Sequence, residues 1–342
     1  MNFSSDNAYG ATPEVLAALT AASEGAVPSY GDDPVTARVR TRLCEIFERD
    51  VVVHPVITGT AANSLALATL CPPHGAIFCH QESHIAVDEC AAPEFFTHGA
   101  KLVHLEGDGA KIDPAAVAGA LPNFQRGVHS AKPSVISITQ ATELGTVYTP
   151  AEIRALADFA HANAMTLHVD GARFANALVS LDRTPAELTW KAGVDAMSFG
   201  ATKNGALCAE AVIFFEPKRA ADFEYRRKKA GHLLSKMRFI SAQFEGYLTD
   251  GAWLKTARRA NALAQRLGDA IVSIPGASLA HPVQANAVFA YLPDAVVARL
   301  RDAGARFYDW QPPSGGRTLV RLVLSFATPE EDVARFITIA RA

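Results

Sequence analysis

Several features that mark secreted, membrane-bound or nucleic-acid-binding proteins are missing from the 342-residue sequence. The five cysteines are odd in number and never form a Cys-x-x-Cys pair, so free thiols are expected rather than a disulfide framework. The sequence starts without a positively charged stretch and apolar run, and it has no segment of about 18 apolar residues. The net charge of −3 provides no broad basic field. We therefore expect a cytoplasmic protein that binds neither membranes nor nucleic acid.

The signatures of common nucleotide and metal sites are also missing. No Gly-x-Gly-x-x-Gly accompanies a strand and no Gly-Lys-Ser/Thr closes a phosphate loop, which argues against a dinucleotide or Walker-type site. His80 and His84 are four residues apart, but Gln81 stands where a zincin helix needs glutamate. No metal is expected.

The sequence does contain short apolar strands that alternate with amphipathic helices, which is typical of an α/β domain with a mainly parallel sheet. The clear strand candidates are residues 77–79, 101–104, 134–138, 166–169 and 211–215. Residues 150–161 predict a helix, because Pro150 suits a first turn and apolar residues recur on one face.

The length is sufficient for two domains. Beyond about Gln243 a long helical stretch precedes strands near 287–289 and 319–323 and a last helix over 330–340. We predict a large domain over residues 1–240, whose N-terminal segment contributes to the active site. A smaller α+β domain is predicted over residues 241–342.

Asp170 lies at the carboxyl end of a short apolar strand, the edge at which open α/β sheets bind ligands. A carboxylate there can pair with a protonated pyridine nitrogen and keep the ring cationic, so that the ring accepts electrons from a broken bond. An aspartate that merely caps the following helix is an equally common arrangement.

Lys203 follows 33 residues later, after an apolar strand and between Thr202 and small residues. These small neighbours leave room for a ring, and the setting suits a Schiff-base amine. The Thr202 hydroxyl could reach a phosphate on the same ring. An isolated lysine is more often a surface residue, so this interpretation depends on the segment around Asp170.

A third segment leads from apolar residues through Thr58, Gly59 and Thr60 into a helix. Backbone N–H groups at a helix N-terminus bind phosphate, and Gly59 lets the chain approach it closely. Any capped helix has a similar sequence, so the motif is informative only beside the other two.

With these segments, the sequence resembles the low-specificity L-threonine aldolases, pyridoxal 5′-phosphate (PLP) enzymes of fold type I. The resemblance covers nearly the whole chain. The matching stretches are Ser5-Asp6-Asn7, 30–34, 59–63, His84, Thr139-Gln140-Ala141-Thr142-Glu143, 168–173, 200–205, Met237-Arg238 and 320–323. Many relatives have Asn-Thr-His-Asn where this chain has Ala141-Thr142-Glu143-Leu144, so the role of that first Asn is not carried over.

The resemblance implies a mainly parallel sheet with helices on both faces, a homotetramer built as a dimer of dimers, and a set of site residues. The implied cofactor-binding residues are Gly59, Thr60, His84, Asp170, Arg173, Thr202, Lys203 and Arg238. The implied substrate-binding residues are Ser5, Arg173 and Arg321, and the implied catalytic residues are Lys203, His84 and His129. Arg238 could reach the site of a neighbouring subunit.

Most of these roles have a structural alternative. Ser5 could be a helix cap, Arg173 could pair with a structural carboxylate, and His129 could be an exposed loop histidine. Arg238 belongs to a basic stretch of the kind that is usually solvated. Arg321 is surrounded by apolar residues, and a charge there needs a partner, which favours the site.

The implied reaction is the retro-aldol cleavage of L-threonine, L-allo-threonine and related β-hydroxy-α-amino acids to glycine and an aldehyde. A histidine suits removal of the hydroxyl proton, because its pKa lies near neutrality. Alternatives on the same scaffold are an aryl-specific phenylserine aldolase, a β-eliminating lyase, an aminotransferase or a decarboxylase. A non-catalytic binding protein is a further alternative, against which the joint presence of Lys203 and Asp170 argues.

Overall fold

Two β-sheets organise the chain in a computed structural model that describes all 342 residues. The strands of the larger sheet are β1 (Val52–Val56), β2 (Gly75–His80), β3 (Lys101–Leu105), β4 (Lys132–Thr139), β5 (Thr166–Gly171), β6 (Ala196–Gly200) and β7 (Glu210–Phe214). Their order is β1-β7-β6-β5-β4-β2-β3. Only β7 runs against its neighbours, and all other pairs are parallel. The predicted mainly parallel α/β sheet is confirmed.

Alternate residues of the large sheet enter two separate apolar cores, because successive side chains of a strand point to opposite faces. Met197 and Ile213 belong to the largest core, while Ala196, Val212 and Phe214 belong to a core on the other face. The flanking helices are α1 (Pro13–Ala22), α2 (Pro34–Ile46), α3 (Gly59–Leu70), α4 (His84–Val87), α5 (Ala92–Phe96), α6 (Pro114–Ala120), α7 (Pro150–Ala162), α8 (Phe174–Leu181), α9 (Phe223–Lys229) and α10 (Arg238–Leu248). Helices therefore cover both faces, as predicted.

The second sheet is antiparallel and has its own core. Its strands are β8 (Ser278–Leu279), β9 (Ala287–Pro293), β10 (Tyr308–Asp309) and β11 (Arg317–Val323), in the order β10-β11-β9-β8. The helices α11 (Ala252–Ile271), α12 (Asp294–Asp302) and α13 (Glu330–Arg341) accompany it. None of the helices combines the length and apolar character that a membrane span requires.

The first residues of the chain join this second sheet. The Phe3 N–H donates to the Arg306 carbonyl at 2.8 Å, and the Phe3 carbonyl accepts from the Val323 N–H at 2.8 Å. The Phe3 ring is fully buried in the second core. The proposed domain boundary near residue 240 falls within α10, and it stays a prediction.

Candidate active site

The loops that follow five strands of the large sheet leave it at the same edge. These strands, β1, β2, β4, β5 and β6, all run in one direction, so the residues beyond their carboxyl ends gather at that edge. Those residues include Gly59, His84, Glu143, Arg173 and Lys203. Because β7 runs the opposite way, its first residue, Glu210, lies at this edge too, in register with Gly200 of β6.

Two adjoining cavities occupy this edge of the sheet. The outer one, of about 300 Å³, is lined by Asn7, Ile57, Thr58, Gly59, Thr60, His84, Ala172, Thr202, Lys203, Leu207, Cys208 and Glu210. The inner one is lined by Gly59, Asn63, His84, Glu89, Thr139, Glu143, Asp170, Ala172, Arg173 and Lys203. The structure therefore brings Lys203, Asp170 and His84 to one enclosed space.

Asp170 is held at the base of the inner cavity and is only 4% exposed. Its Oδ1 accepts the Ala172 N–H at 2.9 Å, and its Oδ2 accepts from Asn63 Nδ2 at 2.8 Å. The first contact is the local turn that an Asp after a strand commonly makes. The second ties the carboxylate to α3. Asp170 does not cap the following helix α8, whose N-cap residue is Arg173, so the capping alternative is wrong.

A chain of hydrogen bonds continues from Asp170 to His84. Asn63 Nδ2 also donates to Glu89 Oε1 at 2.8 Å, and the same oxygen lies 2.8 Å from His84 Nδ1. This hydrogen bond is the main reason why the pKa of His84 is raised. Burial raises the pKa of Glu89, although the His84 contact opposes that effect. Since Nδ1 is engaged with Glu89, His84 has Nε2 left for a ligand.

Lys203 follows β6 in a short 3₁₀ turn, Thr202–Asn204. Burial lowers the pKa of Lys203 and nearby Arg173 lowers it further, while Asp6, Asp170 and Glu210 oppose the shift. A lowered pKa increases the fraction of free amine, the form that attacks a carbonyl carbon. The Nζ has no ion pair within the chain, so it is available to a ligand.

Arg173 is already paired within the chain, as the structural alternative anticipated. Its Nε and Nη2 donate to the two oxygens of Asp6 at 2.7 and 3.0 Å. Asp6 also accepts from Asn286 Nδ2 at 3.0 Å. Arg173 nevertheless lines the inner cavity, where its remaining Nη1 can meet a ligand.

Arg321 has no carboxylate partner of its own. Its guanidinium lies 5.5 Å from the Trp310 ring centre, and its buried Nε makes no hydrogen bond. Burial lowers the pKa of Arg321 to about 10, and the charge of Arg173 contributes to that shift. Asp6 is the carboxylate that faces both guanidinium groups, and the N–H groups that it leaves free suit a substrate carboxylate.

Four of the predicted residues, Ser5, His129, Arg238 and Arg321, line neither cavity of their own chain. Ser5 caps a 3₁₀ turn, its Oγ accepting the Asn7 N–H at 3.1 Å. Arg238 donates to the carbonyls of Glu24 and Gly25, and His129 lies exposed in the turn Gly127–His129. Because none of the four lines a cavity of its own chain, their roles in the site stay predictions. Arg238 in a neighbouring subunit's site stays a prediction.

The phosphate prediction rests on the start of α3. Thr58 Oγ1 accepts the Ala61 N–H at 3.2 Å, while the N–H groups of Gly59 and Thr60 precede the first intrahelical bond. A Cβ on Gly59 would meet no atom within 4 Å, so this part of the helix borders open space. The Thr202 hydroxyl contacts the Ala209 backbone and helps close the loop before β7.

The site also contains residues to which the sequence interpretation gave no role. They are Asp6, Asn63, Glu89, Glu143 and Glu210. Asn63 offers the clearest signal, because it and Ser64 are the polar residues in the otherwise apolar stretch of α3 that the structure buries. Glu143 and Glu210 are not set apart by apolar neighbours in this way. They lie at the site because Glu143 follows β4 and Glu210 begins the antiparallel strand β7.

The donor set fits PLP. A fixed carboxylate at the end of β5 suits a pyridine nitrogen, the N-terminus of α3 suits a phosphate, and the enclosed amine of Lys203 suits an aldehyde carbon. The inner cavity also retains orphaned carboxyl oxygens, Glu89 Oε2 and Glu143 Oε2. No group of three metal-ligating side chains is present.

This fold is that of the fold type I PLP-dependent enzymes, and the site has the residues that their cofactor requires. The chain belongs to the beta-eliminating lyase family, whose pattern matches residues 2–295, and its resemblance to the low-specificity L-threonine aldolases is confirmed. It is 46% identical over 315 residues to the low specificity L-threonine aldolase of a Pseudomonas species, covering 92% of this chain and 91% of the relative. The Pseudomonas aeruginosa enzyme of that name is 45% identical with the same coverage. The solved threonine aldolase of Leishmania major superposes with a TM-score of 0.94 at 28% identity, covering 99% of this chain and 98% of that one.

Proposed function

We propose that this protein cleaves L-threonine, L-allo-threonine and related β-hydroxy-α-amino acids into glycine and an aldehyde, with PLP held on Lys203. The observation that carries the proposal is the enclosed space shared by Lys203, Asp170 and His84. The similarity to curated threonine aldolases over nine-tenths of the chain supports the substrate class.

Lys203 would hold the cofactor, Asp170 would bind its ring nitrogen, and the start of α3 at Gly59 and Thr60 would bind its phosphate. When bound, PLP supplies an electron sink for the carbon–carbon bond that breaks. The contacts from Asn63 and Ala172 fix the Asp170 carboxylate before any ligand arrives, so its alignment costs little upon binding.

Arg321 and Arg173 would hold the substrate carboxylate, and this contact orients the bond to be broken. His84 Nε2 would take the proton from the substrate hydroxyl, with Glu89 holding the other ring nitrogen. A base must be neutral to accept a proton. Because the pKa of His84 is raised, we expect activity to rise with pH as this ring deprotonates.

The oligomer and the location belong to the same proposal. We propose a cytoplasmic homotetramer, built from dimers in which one subunit contributes Arg238 to the site of the next. Arg238 lines neither cavity of its own chain, as expected of a residue that serves a neighbouring site. His129 stays a second candidate for the base. Because it also lines neither cavity of its own chain, it would have to act in the site of a neighbouring subunit.

Incubation of the PLP-loaded protein with L-threonine, L-allo-threonine and L-phenylserine tests the activity. Glycine should form together with acetaldehyde or benzaldehyde, and the Lys203→Ala variant should form neither. Release of benzaldehyde alone would indicate an aryl-specific aldolase. The absence of glycine with all three substrates would overturn the proposal in favour of a β-eliminating or aminotransferase reaction.

A further inference from the structure

Glu143 stands out in the inner cavity because only one of its two oxygens has hydrogen-bond partners. Oε1 accepts the His84 N–H at 2.8 Å and the Thr139 hydroxyl at 2.7 Å. Oε2 is enclosed and has no partner in the chain. The side chain forms part of the wall shared with Asp170 and Lys203.

The contact to His84 is a positioning contact. His84 is the first residue of α4, a helix of only four residues, which has little rigidity of its own. Two anchors hold this residue: Glu89 binds the ring at Nδ1, and Glu143 binds the backbone N–H. Together they fix both the backbone and the ring of the proposed base.

The surroundings of Oε2 favour a proton on Glu143. The titratable and charged groups around it are Cys79, His84, Glu89, Tyr148, Asp170, Arg173 and Lys203. Its two cationic neighbours are shared with other carboxylates, since Arg173 is bound to Asp6 and Lys203 also faces Asp170 and Glu210. Burial raises the pKa of Glu143 to about 7, and the negative charge of Asp170 adds to the shift. A neutral carboxyl avoids an unpaired buried charge.

We propose that Glu143 is a positioning residue for His84, with Oε1 anchoring the His84 backbone whether or not the side chain is charged, and with Oε2 carrying a proton in acid to neutral solution. The proposal depends on the proposed function only through the role of His84. The position of the proton is a property of the protein itself and can be measured without turnover.

Two substitutions separate the neutral acid from the carboxylate. Glu143→Gln retains an acceptor oxygen for His84 and Thr139 and replaces the acid O–H by an amide N–H, so it imitates the protonated side chain. Glu143→Leu keeps similar bulk but removes the acceptor. Glu82→Gln is the matched control, because Glu82 lies two residues before His84 but lines neither cavity.

With the PLP-loaded enzyme, Glu143→Gln should retain kcat/KM within about threefold, whereas Glu143→Leu should lose about 100-fold, the effect of a misplaced reacting group. The loss should appear in kcat, and Glu82→Gln should match the unchanged protein. Equal losses in the Gln and Leu variants would show that the negative charge is needed. Full activity in the Leu variant would remove the positioning role. Either result overturns the proposal.

Infrared spectroscopy of the cofactor-free protein tests the proton directly. The difference between the unchanged protein and Glu143→Gln should contain the C=O stretch of a protonated carboxylic acid, which disappears as the pH rises through about 7. A band that is already lost below pH of about 5, as for an ordinary glutamate, would overturn the proposal. This measurement stands even if Glu143→Leu does not fold. If the protonated-acid band is observed but no substrate is cleaved, the proposed activity is wrong while the proposed protonation state of Glu143 is confirmed.

Discussion

The two ends of the candidate site differ in how completely a single chain builds them. At the inner end, Asp170, Asn63, Glu89 and His84 form a continuous hydrogen-bonded chain without any ligand. The outer end, by which we mean the two predicted arginines that line neither cavity, is less complete: Arg321 has an unpartnered Nε, and Arg238 is bound to backbone carbonyls. Most buried polar groups are hydrogen-bonded within the protein, and one without a partner is free to bind a ligand. The inner end is therefore preorganised, and the outer end is left for the substrate or a neighbouring subunit to complete.

The largest effect is expected for Lys203→Ala at the inner end. Turnover should fall at least about 1,000-fold, because the variant lacks the amine that would hold the cofactor. The fold should persist, since the substitution removes a buried cation whose pKa burial already lowers. Aldehyde release measures the activity, and circular dichroism checks the fold. Borohydride should attach PLP to the unchanged protein but not to this variant. Activity close to that of the unchanged protein would show that the inner end is not the reaction centre.

Asp170→Asn should have the next largest effect. The amide can no longer stabilise a cationic ring, so kcat should fall by about 100-fold, as when a preorganised electrostatic contact is lost. Its N–H₂ would also face the donor of either Asn63 or Ala172, which should cost about 1–3 kcal/mol of unfolding free energy. Kinetics and thermal melting measure the two effects. A loss of activity without any loss of stability would indicate that the hydrogen-bonded chain does not depend on the carboxylate.

Arg321→Lys tests the outer end. A lysine keeps the charge but not the planar fork that binds a carboxylate through two N–H groups, so KM should rise about tenfold with a smaller change in kcat. Arg317→Lys is the matched control, because Arg317 lies on the same strand and against an aromatic ring, Tyr291, but is exposed. Steady-state kinetics with L-threonine measure both variants. An unchanged KM in Arg321→Lys would exclude this residue from carboxylate binding.

Glu89→Gln should shift the pH dependence without removing activity. The hydrogen bond from Glu89 raises the pKa of His84, so its loss should move the rising limb of kcat/KM to lower pH. Because the folded-state pKa of His84 is raised, the stability from this contact is present below the ordinary histidine pKa of 6.5. That stability is lost as the pH rises through the higher folded-state value. Melting curves across this range should show the loss in the unchanged protein and less of it in the variant.

The inner end was largely predictable from the sequence, and the outer end was not. Lys203 and Asp170 each follow a strand that hydrophobic alternation reveals, and parallel strands bring their carboxyl ends to one edge. Glu89 and Glu143 carry no such pattern. Both contact His84, so their roles depend on where the short helix α4 lies. Their spacing of 54 residues in the sequence does not predict that they meet at the same histidine. Arg238 shows the limit most clearly, because its proposed role involves a second subunit, whose position the fold of one chain does not give.

The smallest effect is expected for Arg238→Ala, and it tests whether the outer end is completed by a neighbour. Loss of one exposed phosphate contact should weaken PLP binding by about tenfold, with little change in melting temperature. Lys236→Ala, the substitution of an exposed basic residue two positions earlier, should leave PLP affinity unchanged.

Subunit mixing at limiting PLP then shows whether Arg238 acts in a neighbouring subunit or in its own. If Arg238 acts across an interface, mixing Lys203→Ala with Arg238→Ala subunits creates hybrid dimers with one intact site, and random pairing should restore about a quarter of the unchanged activity. If Arg238 acts within its own chain, hybrids contain no intact site and mixing restores nothing. If mixing restores no activity, a single chain completes both ends of its site, and the difference between the two ends described above is wrong.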